Sequence, residues 1–265
     1  MIHLPPSAGL LRMRHAEPLV QCITNFVAMN FAANAVLAAG ASPAMVHSHA
    51  EAEDFAAQCG ALTINIGTLS PDWCVGMHAA VAGAKAHGKP WVLDPVAHFA
   101  TPYRAQVARD LLSLEPDMVR GNASEIRALA GQQNAGRGVD AGDSVSQAEA
   151  AARDLAQAIS GVVIVTGAVD FVTDGVRDAH VHGGVPMMTK VTAMGCALTA
   201  VTGAFAAAID DPFDAAIAAL SLFAQAGEQA ATLANGPGSL AWQFLDALSA
   251  ITPDAMDDTR VVMTT

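Results

Sequence analysis

The chain has 265 residues, 52% of them hydrophobic and 14% charged, and its formal net charge is −12. This size and apolar content suit a large buried core and exclude a disordered chain. The acidic balance and the lack of a basic cluster argue against nucleic acid and anionic membranes as partners, because both need concentrated lysine and arginine. A small-molecule ligand is favoured instead.

Four cysteines, Cys22, Cys59, Cys74 and Cys196, are scattered without metal-site spacing, and no signal peptide precedes them. Both features predict a cytoplasmic protein. The longest apolar run, 197–209, is interrupted by polar residues and falls short of the about 20 residues that span a bilayer. It therefore predicts a buried helix.

From residue 18 onward, short apolar runs alternate with Ala-rich helical segments. Pairs such as Ser70-Pro71 are typical of helix starts, with Ser as the cap and Pro in the first turn. This alternation predicts a mostly parallel sheet with helices on both faces, and no shift in composition indicates a second domain. In chain order we expect a strand at 18–24, helix 28–39, strand 44–46, helix 51–59, strand 61–66, helix 70–87, strand 90–94, helix 103–114, strand 117–121, a helix from 122, loop 131–144, helix 147–159 and strand 162–166.

After residue 166 the pattern changes. Segments 171–175 and 180–184 read as the two strands of a hairpin, with Asp174-Gly175 as a turn signal. One edge of the sheet is therefore predicted to be antiparallel. The remainder is predicted to be helical over 195–209, 212–234 and 239–251.

In parallel α/β sheets, ligands bind outside the carboxyl ends of the strands. The strand ends predicted here are small, polar or charged. The rule therefore predicts that one edge of the sheet brings together Asn25, Met45, Gly67, Asp94, Arg120 and Thr166.

Several of these side chains suit a phosphorylated ligand. Asp94 and Glu125 could hold Mg²⁺ while substrate phosphates supply further ligands, although Glu125 could instead cap a helix with Asn122, and Asp94 could be a turn carboxylate. Arg120 could bind a phosphate through its planar fork, or form a surface ion pair. Thr166 could donate to a phosphate or simply end its strand.

Small and polar residues in the stretch 191–199 run directly into the long apolar helix. The first N–H groups of such a helix are free, and its dipole presents a positive end, so it predicts an anion site. Cys196 lies in this first turn, where the dipole favours a thiolate. The alternative is that Cys196 only fills a small apolar space.

Seven short motifs stand out in chain order: Gln21–Asn30, Gly40–Met45, Asn65–Leu69, Leu93–Val96, Arg120–Ile126, Thr166–Asp170 and Gly195-Cys196. In this order they resemble the motifs of hydroxyethylthiazole kinases, a family of the ribokinase-like superfamily. The resemblance implies a three-layer α/β/α fold, a single kinase domain over residues 1–265, and a homotrimer with active sites between subunits.

The implied reaction is transfer of the ATP γ-phosphoryl group to the alcohol of 4-methyl-5-(2-hydroxyethyl)thiazole, with Mg²⁺, in thiamine salvage. Such transfer depends mainly on positioning and charge stabilisation. The resemblance implies substrate contacts at Asn25, Met45, Gly67 and Ala193, ATP contacts at Arg120 and Thr166, Mg²⁺ at Asp94 and Glu125, an anion hole at Ala193, Met194, Gly195 and Cys196, and a catalytic role for Cys196.

The chain departs from the family at one position. The usual Gly-x-Gly-Cys reads Ala193-Met194-Gly195-Cys196, so a methyl group stands where the backbone normally approaches the ligand without one. Either the local φ is negative and Ala193 is harmless, or substrate fit is altered. Related sugar kinases place Asp where this chain has Cys196, so the thiol is either a modest general base or a positioning residue.

Three alternatives stay open from the sequence. A ribokinase-like kinase for another small alcohol, such as a hydroxymethylpyrimidine, would share the fold. A cysteine acyltransferase would require a His beside Cys196, and no motif assigns one among the nine histidines. A non-catalytic anion-binding protein would bind phosphate without turnover.

Overall fold

A computed structural model describes residues 4–131 and 145–264. One sheet runs through these residues. Its nine strands are β1 (Leu19–Ile23), β2 (Ser42–Ala44), β3 (Ala61–Asn65), β4 (Trp91–Asp94), β5 (Met118–Asn122), β6 (Val162–Thr166), β7 (Val169–Thr173), β8 (Asp178–His182) and β9 (Val261–Thr264).

The spatial order of the strands is β2-β1-β3-β4-β5-β6-β7-β8-β9. In this spatial order, neighbouring strands are parallel from β2 through β1 to β6, and neighbouring strands are antiparallel from β6 to β9. The predicted hairpin is confirmed as β7 and β8, and Asp174 Oδ1 accepts the N–H groups of Val176 and Arg177 in its turn, at 2.9 and 2.6 Å. The mostly parallel sheet with an antiparallel edge is therefore confirmed.

Helices cover both faces of the sheet, so the predicted three layers are confirmed. Each face has its own apolar core. One core is formed with α1 (Pro6–Ala16), α2 (Met29–Ala39), α8 (Met194–Ala206), α9 (Pro212–Leu233) and α10 (Pro237–Ala250), and the other with α3 (Ala52–Gln58), α4 (Pro71–Ala86), α5 (Pro102–Leu112), α6 (Ala123–Leu129) and α7 (Val145–Ile159).

Helix α8 is the predicted buried helix, and every residue from Ala197 to Ala206 is buried. A Cβ added at Gly203 would lie 2.3 Å from Cγ2 of Thr63 on β3, so glycine permits this helix to approach the sheet closely. The contact holds the later turns of α8 against β3, and the helix starts near the end of that strand, where Cys196 approaches Asn65. No helix in the described part of the chain is long and apolar enough to cross a membrane.

The predicted helix caps are confirmed. Ser70 Oγ accepts the N–H of Trp73 at 3.2 Å. Asn122 and Glu125 form a reciprocal capping box, in which each side chain accepts the backbone N–H of the other at 2.9 Å. The loop predicted at 131–144 lies, apart from Gly131, outside the described residues.

Among the described α-helices and strands, one helix and one strand were not predicted, and another strand was misplaced. Helix α1 depends on tertiary contacts: its Arg14 donates to the carbonyl oxygens of Ala39, Leu248 and Ile251, which end α2 and α10. Strand β9 has only four residues and exists through its pairing with β8. The prediction of a strand at 44–46 was wrong, because it is the preceding segment, 42–44, that pairs with β1.

Candidate active site

A buried row of polar side chains crosses the carboxyl ends of β1, β3 and β4. Asn25 Nδ2 donates to Asn65 Oδ1 at 2.8 Å, and Asn65 Nδ2 donates to Asp94 Oδ2 at 2.7 Å. All three residues are buried. They meet because these parallel strands are neighbours in the sheet and end at the same edge.

The sulfur of Cys196 lies against this row. It is 3.3 Å from Asn25 Nδ2 and 3.2 Å from Asn65 Nδ2. Backbone donors fix both amides, because Gly67 N–H donates to Asn65 Oδ1 at 2.9 Å and Ala28 N–H donates to Asn25 Oδ1 at 3.0 Å. Each amide therefore presents its NH₂ group to the sulfur, which accepts two hydrogen bonds.

The environment of Cys196 does not favour the thiolate. Burial and the nearby Asp94 charge raise the pKa of Cys196 to about 11, against the opposing effect of Asn25, Arg120 and Asn65. The sequence indicated that the dipole at the helix start would favour ionisation of the Cys196 thiol. In the structure, the burial of the thiol outweighs this effect. The thiol is neutral at pH 7.

Asp94 is fully buried at the centre of the cluster. Its Oδ2 accepts hydrogen bonds from Asn65 and from Thr199 Oγ1 at 2.7 Å, and lies 3.7 Å from Arg120 Nη1. Burial, with a contribution from Glu125, raises the pKa of Asp94 to about 6, although Arg120, Thr199 and Asn65 oppose the shift. Among the described residues Oδ1 has no hydrogen-bond partner, so one carboxylate oxygen can bind a ligand.

Arg120 connects the acidic centre to the start of α8. Its Nη2 donates to Oγ1 of Thr166, at the end of β6, at 2.7 Å. A Cβ added at Gly195 would lie 2.6 Å from Arg120 Nη1, so glycine permits the guanidinium to pack against the first helical turn. A positive side chain and the positive end of a helix thus meet in one place, as an anion site requires.

Ala193 is the N-cap of α8 and has φ 66° and ψ 2°. This is the left-handed region, which glycine adopts freely and which costs an L-residue about 1 kcal/mol. The alternative of a negative φ at this position is therefore wrong. Ala197 N–H makes the first intrahelical bond, to Ala193 O at 2.8 Å, so the amides of residues 194–196 have no acceptor within the helix.

Glu125 is held by backbone donors. Its Oε1 accepts the N–H of Ala97 at 2.9 Å, and its Oε2 accepts the N–H of Asn122 at 2.9 Å. The capping interpretation of Glu125 is therefore confirmed. Its charge also acts on Asp94, whose pKa it raises. No group of three or more His, Cys, Asp or Glu side chains suited to a metal occurs among residues 4–131 and 145–264.

The structure brings most of the predicted site residues together, and Met45 stands apart from the hydrogen-bonded cluster. It follows β2, and its partly buried side chain packs against the core. Asn65 and Thr199, which both donate to Asp94, were missed. Asn65 ends a predicted strand and lies in a quoted motif, and Thr199 closes the stretch 191–199, so their positions were usable signals.

The architecture is a ribokinase-like fold. The structure of a pyridoxal kinase from Staphylococcus aureus in complex with ADP superposes with a TM-score of 0.61 at 16% identity, over 80% of this chain and 87% of that chain. At that identity the likeness concerns the fold alone.

A narrower likeness extends over nearly the whole chain. The structure of a hydroxyethylthiazole kinase from Pyrococcus horikoshii superposes with a TM-score of 0.90 at 38% identity, over 98% of this chain and 99% of that one. Residues 10–254 match the Hydroxyethylthiazole kinase family. Hydroxyethylthiazole kinases from Gemmatimonas aurantiaca and Rhizobium johnstonii are 59% and 60% identical, over 98% and 95% of this chain and 93% and 95% of theirs. The chain belongs to the hydroxyethylthiazole kinase family.

Proposed function

We propose that the cluster around Cys196 transfers the γ-phosphoryl group of ATP to the primary alcohol of 4-methyl-5-(2-hydroxyethyl)thiazole, a step of thiamine salvage. Family membership supports the reaction. One observation carries the assignment of the site: the buried Asn25–Asn65–Asp94 row meets Arg120 and the start of α8. Positioning and charge stabilisation are what phosphoryl transfer mainly requires.

The two substrates enter from neighbouring parts of the sheet edge. The thiazole contacts Asn25, Met45, Gly67 and Ala193, near the ends of β1, β2 and β3 and the start of α8. ATP contacts Arg120 and Thr166, whose mutual hydrogen bond supports a shared role. The substrate alcohol and the γ-phosphate then meet in front of α8.

The start of α8 forms the anion hole. The amides of Met194, Gly195 and Cys196 face the transferring phosphoryl group, and Ala193 sets the direction of the turn. Fixed amide donors need no reorganisation as negative charge develops, which is why such a site lowers the barrier.

The residues present fit Mg²⁺ as a cation shared with ATP. Asp94 offers a buried oxygen without a partner among the described residues, and Glu125 adds negative charge close enough to raise the pKa of Asp94. Oxygen ligands of this kind, with phosphates and water completing the shell, are typical of Mg²⁺. Bound Mg²⁺ would neutralise phosphate charge; Asp94 would supply a ligand oxygen, and Glu125 would help to organise the ion.

Cys196 is the side chain that we place beside the substrate alcohol. Its two amide donors hold the sulfur in a defined position. The raised pKa of about 11 favours a positioning role over that of a strong base at neutral pH.

We also propose a single kinase domain over residues 1–265, a cytoplasmic location and a homotrimer with active sites between subunits. All four cysteines are free, in keeping with a reducing compartment. The trimer is supported by an apolar surface beside the site: Phe26 and Val27 follow Asn25 and are 69% and 61% exposed, and the Phe26 ring lies 4.9 Å from that of Trp73.

The test is turnover of alcohols with ATP and Mg²⁺. We expect hydroxyethylthiazole to be phosphorylated in preference to hydroxymethylpyrimidine and ribose. Equal or better turnover of either competitor would reject the thiazole assignment and support the second candidate, a kinase for another small alcohol. The acyltransferase alternative is disfavoured, since the hydrogen-bond donors at the sulfur are the amides of Asn25 and Asn65.

A further inference from the structure

The guanidinium of Arg104 donates to four backbone carbonyl oxygens. Arg104 lies in the first turn of α5 and is partly buried. Its Nε donates to Ala97 O at 3.1 Å, its Nη1 to Gly67 O at 3.1 Å, and its Nη2 to Ile66 O at 2.8 Å and to Val96 O. Four of its five N–H donors are thus directed at main-chain oxygens.

These carbonyl groups belong to two different loops. Residues 66–67 directly follow β3, and residues 96–97 lie just beyond the end of β4. The last residues of those strands are Asn65 and Asp94, both members of the buried row. Arg104 therefore joins the two loops immediately beyond the site.

One of the joined residues is strained. Ala97 has φ 47°, in the left-handed region that costs an L-residue about 1 kcal/mol. It is held from both sides, because its N–H donates to Glu125 Oε1 and its carbonyl oxygen accepts from Arg104 Nε. Strained residues of this kind persist only where neighbouring groups fix them.

We propose that Arg104 is a positioning residue that sets the separation of the Gly67 loop and the Ala97 loop. It touches no reacting atom and acts through its neighbours. It fixes Gly67, which we propose contacts the thiazole, through the carbonyl oxygen of that residue. It also fixes Ala97, whose N–H in turn holds the carboxylate of Glu125 near the proposed Mg²⁺ site. The inference rests on the proposed roles of Gly67 and Glu125.

Arginine is specifically required for this geometry. Its planar fork directs separate N–H donors to several acceptors at once, whereas lysine carries its three donors on one nitrogen. Arg104→Lys should thus keep the positive charge and lose the bridge between the loops.

The experiment compares Arg104→Lys and Arg104→Gln with Arg109→Gln. Arg109 lies on the same helix, is exposed, and donates to Gln106. All measurements use the full chain. They are the Kd of hydroxyethylthiazole and of ATP by calorimetry, the KM values, the Mg²⁺ concentration for half-maximal rate, and hydrogen exchange of the peptides that contain residues 66–68 and 96–98.

For both Arg104 variants we expect the Kd of the thiazole and the Mg²⁺ requirement to rise together by about tenfold or more, because small displacements at a site have large effects. Exchange should accelerate in both loops. The Kd of ATP, which binds at β5 and β6, and all values for Arg109→Gln should stay within about twofold of wild type.

Arg104→Lys with wild-type thiazole Kd and Mg²⁺ requirement would overturn the proposal. So would a lower melting temperature with unchanged Kd values, since that is the result for a merely structural role. The wild-type protein separates this proposal from the proposed function: absence of thiazole binding and turnover in wild type rejects the function, whereas the exchange of the two loops still decides whether Arg104 joins them.

Discussion

At the scale of single residues, Ala193 places a side-chain methyl group at a position whose backbone conformation favours glycine. Its positive φ suits glycine, so Ala193→Gly should relieve about 1 kcal/mol of strain, roughly offset by the greater freedom of glycine in the unfolded chain. We expect an unchanged or higher melting temperature and no loss of activity. The control Ala197→Gly, inside the same helix, should lose about 1 kcal/mol or more. Equal losses in the two variants would contradict this account.

Asp94 carries a conflict between function and stability. Its pKa in the folded protein, about 6, lies above the ordinary value, so ionisation opposes folding at neutral pH, and this penalty disappears as the pH falls below about 3.9. Asp94→Asn should raise the melting temperature at pH 7.5 and lower kcat/KM by tens-fold or more, on the order of 2 kcal/mol.

The matched control for this prediction is Asp110→Asn, at an exposed position of α5. It should change neither quantity. Near-wild-type kinetics of Asp94→Asn would return Asp94 to a purely structural role, and a lower melting temperature at pH 7.5 would contradict the stability argument.

Cys196 permits a test of its two roles. Since its pKa is raised to about 11, its alkylation rate should keep rising with pH well beyond the ordinary thiol range. Cys196→Ser keeps an acceptor for the amides of Asn25 and Asn65 and should retain most activity. Cys196→Ala removes the acceptor of one N–H of each amide, while the other N–H still donates within the Asn25–Asn65–Asp94 row, and should cost about 1–3 kcal/mol of stability in urea unfolding. A folded Ser variant that is slowed about 10²-fold would instead identify a general base.

At the scale of elements, the site depends on how closely the start of α8 approaches β5. Gly195→Ala would place a methyl group 2.6 Å from Arg120 Nη1 and displace the guanidinium from Thr166. We expect the KM for ATP to rise about tenfold or more, measured by steady-state kinetics. Gly238→Ala is the control: it also occupies the second position of a helix, α10, and its added Cβ meets nothing within 4 Å. Similar KM values for both variants would contradict the contact.

At the scale of the whole molecule, the apolar surface around Phe26 predicts association of subunits. Phe26→Asp should convert the proposed trimer to smaller species, measured by light scattering after size exclusion, because a charge would be buried without a partner. Val176→Asp is the control, since Val176 is 88% exposed in the β7–β8 turn. A wild-type monomer, or an unchanged Phe26→Asp trimer, would reject this surface as the interface.

The sequence by itself determined the alternating order of strands and helices, the caps at Ser70 and Asn122, and the grouping of Asn25, Asp94 and Arg120 at one edge. Periodicity and capping act within a few residues, so they can be read along the chain. The rule on strand ends then converts that order into a site.

Only the tertiary structure decided how that site is built. Asn65 contacts Cys196 across 131 positions of the chain, and Thr199 contacts Asp94 across 105. Burial at those contacts raises the pKa of Cys196, where the helix start alone predicted the opposite. The physical reason is that desolvation, close packing and hydrogen bonds between distant segments arise only when the layers assemble, and no local pattern encodes them.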